Sequence, residues 1–455
     1  MPVFKKAKRL SPARTLVLGF LIIIAAGTLL LCLPAASRAG KFTPFFDCLY
    51  TATSATCVTG LVVYDTWAYW SVFGQVVIAL LVQVGGLGFV TLITFFNVAM
   101  GKKLGFKTLK IASEDLSESS FKNGRKIFIR IVKYSLIFEL MGAVIMSFAL
   151  FPKYGGYGIW IAAFTSITAF CNAGFDLEGM EGEFSSLISF QDNPAVLITI
   201  ATLIILGGLG FIVWENFLTI RESRKISLHT KVVLVMTAAL VAAGTLFYLV
   251  SEWNNPKTLG KMDFGEKLLN AFFSSVTTRT AGFDSIGMNN MSEFSQMGTI
   301  VLMFIGAAPG STGGGIKVTT LMVVIMTVVS YIRNKNDVEL FRHKISKLVI
   351  YRTMVTMALS FAAVGICFSA LYFSMPKDAG VGGGAVQCLF DAVSAFSTAG
   401  LTAGAAAEAG IVGKCVLMAT MFLGRVGPVS VIMSLVLNTQ NRKNIVVPEG
   451  EILIG

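Results

Sequence analysis

Apolar runs long enough to cross a bilayer recur along the chain, separated alternately by basic connections and by shorter segments rich in Thr, Ser and Ala. A spanning helix needs about 20 consecutive apolar residues. The pattern predicts eight of them, over residues 15–34, 72–97, 128–150, 194–219, 231–251, 296–329, 351–374 and 411–437. Between spans one and two, three and four, five and six, and seven and eight lies a segment too short and too polar to cross. A re-entrant hairpin fits each.

Those four short segments align on a glycine: TATSATCVTGL at Gly60, TSITAFCNAGF at Gly174, SSVTTRTAGF at Gly282 and DAVSAFSTAGL at Gly400. The glycines stand 114, 108 and 118 residues apart, and ten residues before each is an aromatic: Tyr50, Phe164, Phe272, Phe390. A large apolar side chain follows each one: Leu61, Phe175, Phe283, Leu401. Matching columns at a near-constant period mean one supersecondary unit used four times. The units divide the chain into 1–100, 101–220 with its polar lead-in, 221–335, and 336–455 with the C-terminal tail. The expected fold is an all-α polytopic membrane protein. Its four tandem units of spanning helix, re-entrant pore helix and spanning helix (eight spanning and four pore helices) form a pseudo-fourfold ring around a central pore. Non-helical backbone at membrane depth is tolerated only where it is buried in protein or lines a watery cavity, and four converging loops meet that condition together.

Composition agrees. Of 455 residues, 55% are hydrophobic and 14% charged, against about 25% charged in soluble domains. The net charge of +12 invites a nucleic-acid reading, but its placement argues against one. Of 37 Lys and Arg, 26 fall in the N-terminus, the segments around 102–133, 221–231 and 333–352, and the pair Arg442–Lys443; eight lie in the alternate connections. That asymmetry is the positive-inside signature and puts both termini in the cytoplasm. Seven scattered cysteines without a C-x-x-C pair, and two histidines in connecting segments, leave little for disulfide, metal or catalytic chemistry. An intramembrane enzyme is disfavoured.

A cation stripped of its water needs replacement ligands, and rings of backbone carbonyls supply them. Glycine at φ > 0 aims its carbonyl without a Cβ clash, and small neighbours (Thr59, Ala173, Ala281, Ala399) keep the loops slim. The candidate lining extends one residue further back, to Val58, Asn172, Thr280 and Thr398. Pore helices would direct their partly negative C-terminal ends at the axis, a field that favours cations. Acidic residues Asp176, Glu178, Glu181, Glu183 and Asp284 follow the second and third glycines. They suit a cation-concentrating mouth or an ordinary solvated loop equally.

Span six carries IGAAPGSTGGGIKV, with Pro309 and glycines 310, 313, 314 and 315 in mid-run. Proline removes a backbone donor and glycine costs up to about 1 kcal/mol in a helix, so the span should break there. The spacing fails a phosphate-binding loop: Ile316 stands where the lysine belongs, and no Ser or Thr directly follows Lys317. Arg425 in MFLGRVGPVS lies within span eight, where a charge costs about 2.5–3.5 kcal/mol and must face the interior or water. A snorkelling role at the cytoplasmic edge is the plainer alternative. Glu139 lies inside span three, and its partner is open.

TTRTAGFD, the four glycine loops, the GGGIK segment and an arginine in the last span together resemble the Trk/Ktr/HKT superfamily of potassium transport proteins, over almost the whole chain. Length, eight spans and the terminal PEGEILIG look most like its KtrB-type uptake subunit. The resemblance implies a potassium-selective filter at Gly60, Gly174, Gly282 and Gly400. It implies a gating loop over Ala307–Lys317, including Gly310, Gly313, Gly314, Gly315 and Lys317, and Arg425 as an electrostatic barrier that donates to that loop. It implies uptake across the cell membrane with potassium as the transported ion and no cofactor, a homodimer, and a cytosolic nucleotide-binding ring of regulatory subunits. An ion-coupled secondary transporter is the alternative, since broken helices and internal repeats occur there too. Arg279, three residues before Gly282, has Cys57, Cys171 and Ser397 as its counterparts. A guanidinium in a cation path would repel the cargo, so it is expected to point behind the loop and brace carbonyls or acidic groups near the outer mouth.

Overall fold

A computed structural model describes residues 12–88, 124–223, 225–376 and 383–435. The basic stretches at the N-terminus and from residue 102 to 123, and the PEGEILIG tail, lie outside the described residues.

Among the described residues the chain is all-α apart from one small hairpin. In order it runs α1 (Pro12–Leu31), α2 (Phe45–Thr56), α3 (Thr66–Tyr69), α4 (Val72–Leu87), α5 (Gly124–Tyr154), α6 (Gly156–Phe170), α7 (Pro194–Gly208), α8 (Phe211–Ser223), α9 (Leu228–Ser251) and α10 (Phe264–Thr277). It continues with α11 (Glu293–Phe304), α12 (Val318–Ile332), β1 (Glu339–Leu340), β2 (His343–Lys344), α13 (Lys347–Ser374), α14 (Ala385–Ser397), α15 (Ala405–Glu408), α16 (Ile411–Val426) and α17 (Pro428–Leu435). Polar caps start the long apolar helices where the sequence leaves the aqueous side. Ser71, Ser227, Ser292 and Ser346 each accept a backbone N–H of the first turn, and Asn193 does so before Pro194.

The first spanning helix of each unit (α1, α5, α9, α13) is long and apolar enough to cross a membrane as one continuous rod. Their outer faces carry bare apolar side chains, such as Ile22 at 67%, Phe148 at 78% and Phe373 at 85% exposure, where water would be costly and acyl chains are not. The second spanning helices behave differently. Spans 194–219 and 411–437 are each a broken pair, bent by 89° between α7 and α8 and by 97° between α16 and α17. The break falls at Gly210 (φ 88°) and at Gly427 (φ 89°). Span six is broken more widely, by an extended loop from Ile305 to Lys317, and α4 is capped by Gly88 (φ 82°).

A repeated motif accounts for these breaks. VGGLGF at 84–89 and LGGLGF at 206–211 are near copies, and AAPG at 307–310 and GRVG at 424–427 occupy the corresponding places. The first glycine lets the span touch the end of its pore helix. A Cβ at Gly85, Gly207 or Gly424 would lie closer than 3.0 Å to the carbonyl oxygen of Thr56, Phe170 or Phe396. Each of those carbonyls belongs to the residue four before a loop glycine. The last glycine takes the positive φ that turns the chain aside.

The four pore helices α2, α6, α10 and α14 sit inside this cage, with buried apolar clusters joining them to the spans. An ion pair closes the circle between its ends: Lys414 Nζ in α16 lies 2.8 Å from Asp47 Oδ1 in α2, and Tyr64 donates to the other carboxylate oxygen at 2.7 Å.

Candidate functional site

Each pore helix ends in a turn of the same unusual form. The residue two before the glycine is left-handed in every loop: Val58 (φ 58°), Asn172 (φ 58°), Thr280 (φ 69°) and Thr398 (φ 53°). The glycines follow at φ 92°, 66°, 86° and 82°. Side chains resist this region, β-branched ones most of all, and a residue held there costs on the order of 1–3 kcal/mol. Three of the four non-glycine residues are β-branched, so the surrounding packing is holding the loops in a form they would not choose alone. The holding bonds are visible. Thr59, Ala173 and Ala399 donate their N–H to the Ser54, Thr168 and Ser394 carbonyls, each five residues back. The third loop is tighter, with Ala281 donating to Thr277, whose hydroxyl in turn donates to Phe283 O at 2.7 Å.

The loops meet one another in cyclic order. A Cβ on Gly60 would strike Ala173 O, one on Gly174 would strike Ala281 O, one on Gly282 Ala399 O, and one on Gly400 Thr59 O, all under 3.0 Å. Every glycine therefore lies against the carbonyl of the residue preceding the next glycine, and the fourth returns to the first. Thr59, Ala173, Ala281 and Ala399 are fully buried within this ring. Four carbonyl-bearing strands of backbone are thus brought to one centre with no side chain between them.

Above the ring opens a cavity of about 350 Å³, lined by the four glycines together with Asp65, Asp176 and Asp284. Its carboxylates are partly occupied in shaping the wall. Asp284 accepts the N–H groups of Ile286, Gly287 and Met288 at 3.0, 2.9 and 2.7 Å, and Asp65 accepts those of Ala68 and Phe184 at 2.7 and 2.9 Å. Glu178 is buried behind the wall; burial pushes its carboxyl up to about 8, with the neighbouring Asp176 adding to the rise. Burial likewise raises Asp176 to about 6. Glu181 is surface-exposed and paired with Lys153 at 3.0 Å, and Glu183 is exposed, so neither belongs to the cavity. Asp65 was not anticipated, because it follows the first glycine by five residues and not by two.

Below the ring lies the broken stretch of span six. Gly313 backs onto the Thr280 hydroxyl and Gly314 onto that of Thr398, each too closely to admit a Cβ, and Gly314 N donates to Thr398 Oγ1 at 3.1 Å. Gly315 (φ 68°) lies against Ser397, and Gly310 (φ 67°) accepts the N–H of Phe211 at the bend of span four at 2.8 Å. Thr312 donates to Phe170 O at 3.2 Å. Arg425, in the last turn of α16, donates to Thr312 O, to Gly85 O and, at 3.1 Å, to Gly86 O. Lys317 curls back to donate to Gly313 O at 2.7 Å.

Arg279, whose partner the sequence leaves open, is buried. Its Nη2 donates to Thr237 Oγ1 of α9 at 3.2 Å, and none of the mouth carboxylates is its partner. The guanidinium pins the loop to a spanning helix. Sequence reading also missed Gln83 and Gly85–Gly88, for which the repeated GGLGF was an available signal.

The chain matches the model of a family described as "TrkH: Cation transport protein" over residues 13–444. It is 39% identical to the potassium/sodium uptake protein NtpJ of Enterococcus hirae, over all of both chains. It is 37% identical to the Ktr system potassium uptake protein B of Bacillus subtilis, over 98% of this chain and 97% of that one. Among solved structures it resembles the potassium transporter TrkH of Vibrio parahaemolyticus, with a TM-score of 0.72 at 16% identity over 96% of this chain and 87% of that one. At that identity the likeness speaks to fold alone.

Proposed function

Since the chain belongs to the TrkH family of cation transport proteins, we propose that it carries potassium into the cell through a filter made by its four glycine loops. The observation that supports this most is the cyclic contact of each glycine with the next loop's carbonyl. Backbone oxygens so gathered can replace the hydration shell of a desolvated cation without a charged side chain that would trap it. Thr280 and Thr398 rest on Gly313 and Gly314, so the loop of span six blocks the exit until it moves. On this reading the structure is closed, and conduction is passive once the loop withdraws.

The protein sits in the cell membrane with its basic connections, residues 333–352 among them, on the cytoplasmic side. The relatives named for a Ktr system suggest more than one component. The chain is its membrane subunit, a homodimer working with a cytosolic nucleotide-binding ring; both of these partners rest on the family resemblance.

Reconstitution of the purified chain in proteoliposomes tests the reading. Potassium flux should exceed sodium flux and follow its own gradient with no fixed sodium or proton stoichiometry. Strict coupling would replace the filter with an ion-coupled transporter, and equal potassium and sodium flux would remove the selective filter.

The mouth carboxylates add a pH dependence of known sign. With their acidities weakened by burial, Asp176 loses its proton only near pH 6 and Glu178 near pH 8. Negative charge therefore accumulates at the mouth as pH rises, and the apparent KM for potassium should fall between those values. Glu178→Gln should remove the upper part of that change while leaving the lower part. A KM that rises or stays flat in the wild type rejects it. The stability sign is opposite: the folded mouth favours protonated Glu178, so this contribution is lost as pH climbs from about 4.5 toward 8.

A further inference from the structure

Glu139 is a carboxyl in the middle of a spanning helix, α5, and is only 5% exposed. A charge or a bare carboxyl there costs about 2.5–3.5 kcal/mol on insertion, so its retention calls for a partner and a reason. The partner is in another unit. Glu139 Oε1 accepts from Gln83 Nε2 of α4 at 2.9 Å. The other end of the same amide, Gln83 Oε1, faces the Cys171 thiol at 3.7 Å. Cys171 caps α6 and stands directly before Asn172–Ala173–Gly174. The backbone carbonyl of Glu139 also accepts from Ser166 Oγ of α6 at 2.6 Å, so one residue reaches both the body and the end of that pore helix.

The direction of the amide matters. An amide can be turned either way, presenting N–H or C=O to a given neighbour. An accepting carboxyl oxygen on one side draws the Gln83 nitrogen, which turns the amide oxygen toward Cys171. Two and three residues further along α4, the carbonyls of Gly85 and Gly86 receive Arg425, which also donates to Thr312 of the span-six loop. A Cβ on Gly86 would meet Cys171 Sγ at 2.6 Å. The last turn of α4 is therefore the common seat of the second glycine loop and of Arg425.

We propose that Glu139 is a positioning residue for the second glycine loop: through Gln83 it fixes the last turn of α4 against Cys171, and so sets how that loop's carbonyls stand in the ring. This rests on the filter reading, and the measurements below separate the two.

Ion preference is measured in proteoliposomes as potassium flux against rubidium and sodium flux, on protein checked for monodispersity. Glu139→Leu and Gln83→Leu should each lower potassium-over-sodium preference by about fivefold, the scale of one lost buried hydrogen bond of about 1 kcal/mol. The double variant should lose no more than either single one, because both remove the same contact. Glu139→Gln keeps an accepting oxygen and should retain the preference, as should the exchanged pair Gln83→Glu with Glu139→Gln. A merely structural glutamate would lower yield without moving the ion ratio. An unchanged ratio in monodisperse Glu139→Leu, or additive losses in the double variant, overturns the proposal. Should Glu139→Leu fail to fold, Gln83→Leu decides by the same two outcomes. If Gly282→Ser also leaves the ratio unchanged, the filter reading itself has failed; if only the Glu139 and Gln83 variants are silent, the positioning role alone falls.

Discussion

Gly282→Ser should cut the preference for potassium over sodium by at least about tenfold, equivalent to about 1.4 kcal/mol, and lower potassium uptake in cells that lack other uptake routes. Two effects act together. Gly282 holds φ at 86°, where an L side chain costs about 1–2 kcal/mol. Its new Cβ would also fall under 3.0 Å from Ala399 O and from the Cα of Gly174. Backbone cannot yield there as a flexible side chain would, so two neighbouring loops must shift. A carbonyl displaced by a few tenths of an ångström still binds a cation but no longer matches one size. Measured as paired potassium and sodium fluxes, an unaltered ratio in folded protein would remove Gly282 from the filter. Gly40 is the natural control: it also has positive φ (65°), but nothing lies within 4 Å of the Cβ it would gain.

Arg425→Ala should act in the other direction and raise basal potassium flux about tenfold or more. Arg425 ties three carbonyls from two distant segments into one place, joining Thr312 of the span-six loop to Gly85 and Gly86 at the end of α4. Hydrogen bonds to a charged group contribute about 1.5–3 kcal/mol each. Losing the tie to Thr312 alone would shift the loop's closed-to-open balance by tenfold or so. Removing the positive charge from below the ring adds to the effect. Arg425→Lys should give an intermediate flux, because an ammonium keeps the charge but lacks the planar fork that reaches both sides. The check is unregulated flux in vesicles. A basal flux equal to wild type in both variants would rule out the guanidinium as the latch.

The parts of this molecule that were legible in sequence share one property: their signal is local and repeated. Gly60, Gly174, Gly282 and Gly400 were found because each carries its own aromatic ten residues back and its own apolar side chain after it. The break in span six was readable for a similar reason, since Pro309 and four glycines leave no helix to continue. The 89° and 97° bends were hidden because hydropathy runs straight through LGGLGF and GRVGP. A glycine that turns the chain and one that lets helices touch look identical in a hydropathy profile, and only the recurrence of GGLGF separates them. Partners were the least legible. Arg279 bonds a threonine 42 residues away, and Glu139 a glutamine 56 residues away. Nothing in either local sequence specifies such a distant match.

The ring has a first and a last member, and that has a consequence for how the protein is made. Gly400 rests on Thr59, and Lys414 holds Asp47 at the same seam. Those contacts join residues more than three hundred positions apart, whereas the other three joints link consecutive repeats. A ribosome that has delivered three quarters of the polypeptide has therefore built an incomplete collar with one side open to lipid. Insertion of the final quarter seals the circumference in one step. A conducting path through the proposed filter thus cannot precede completion of the chain, and a chain truncated before the last loop should carry no selective potassium flux.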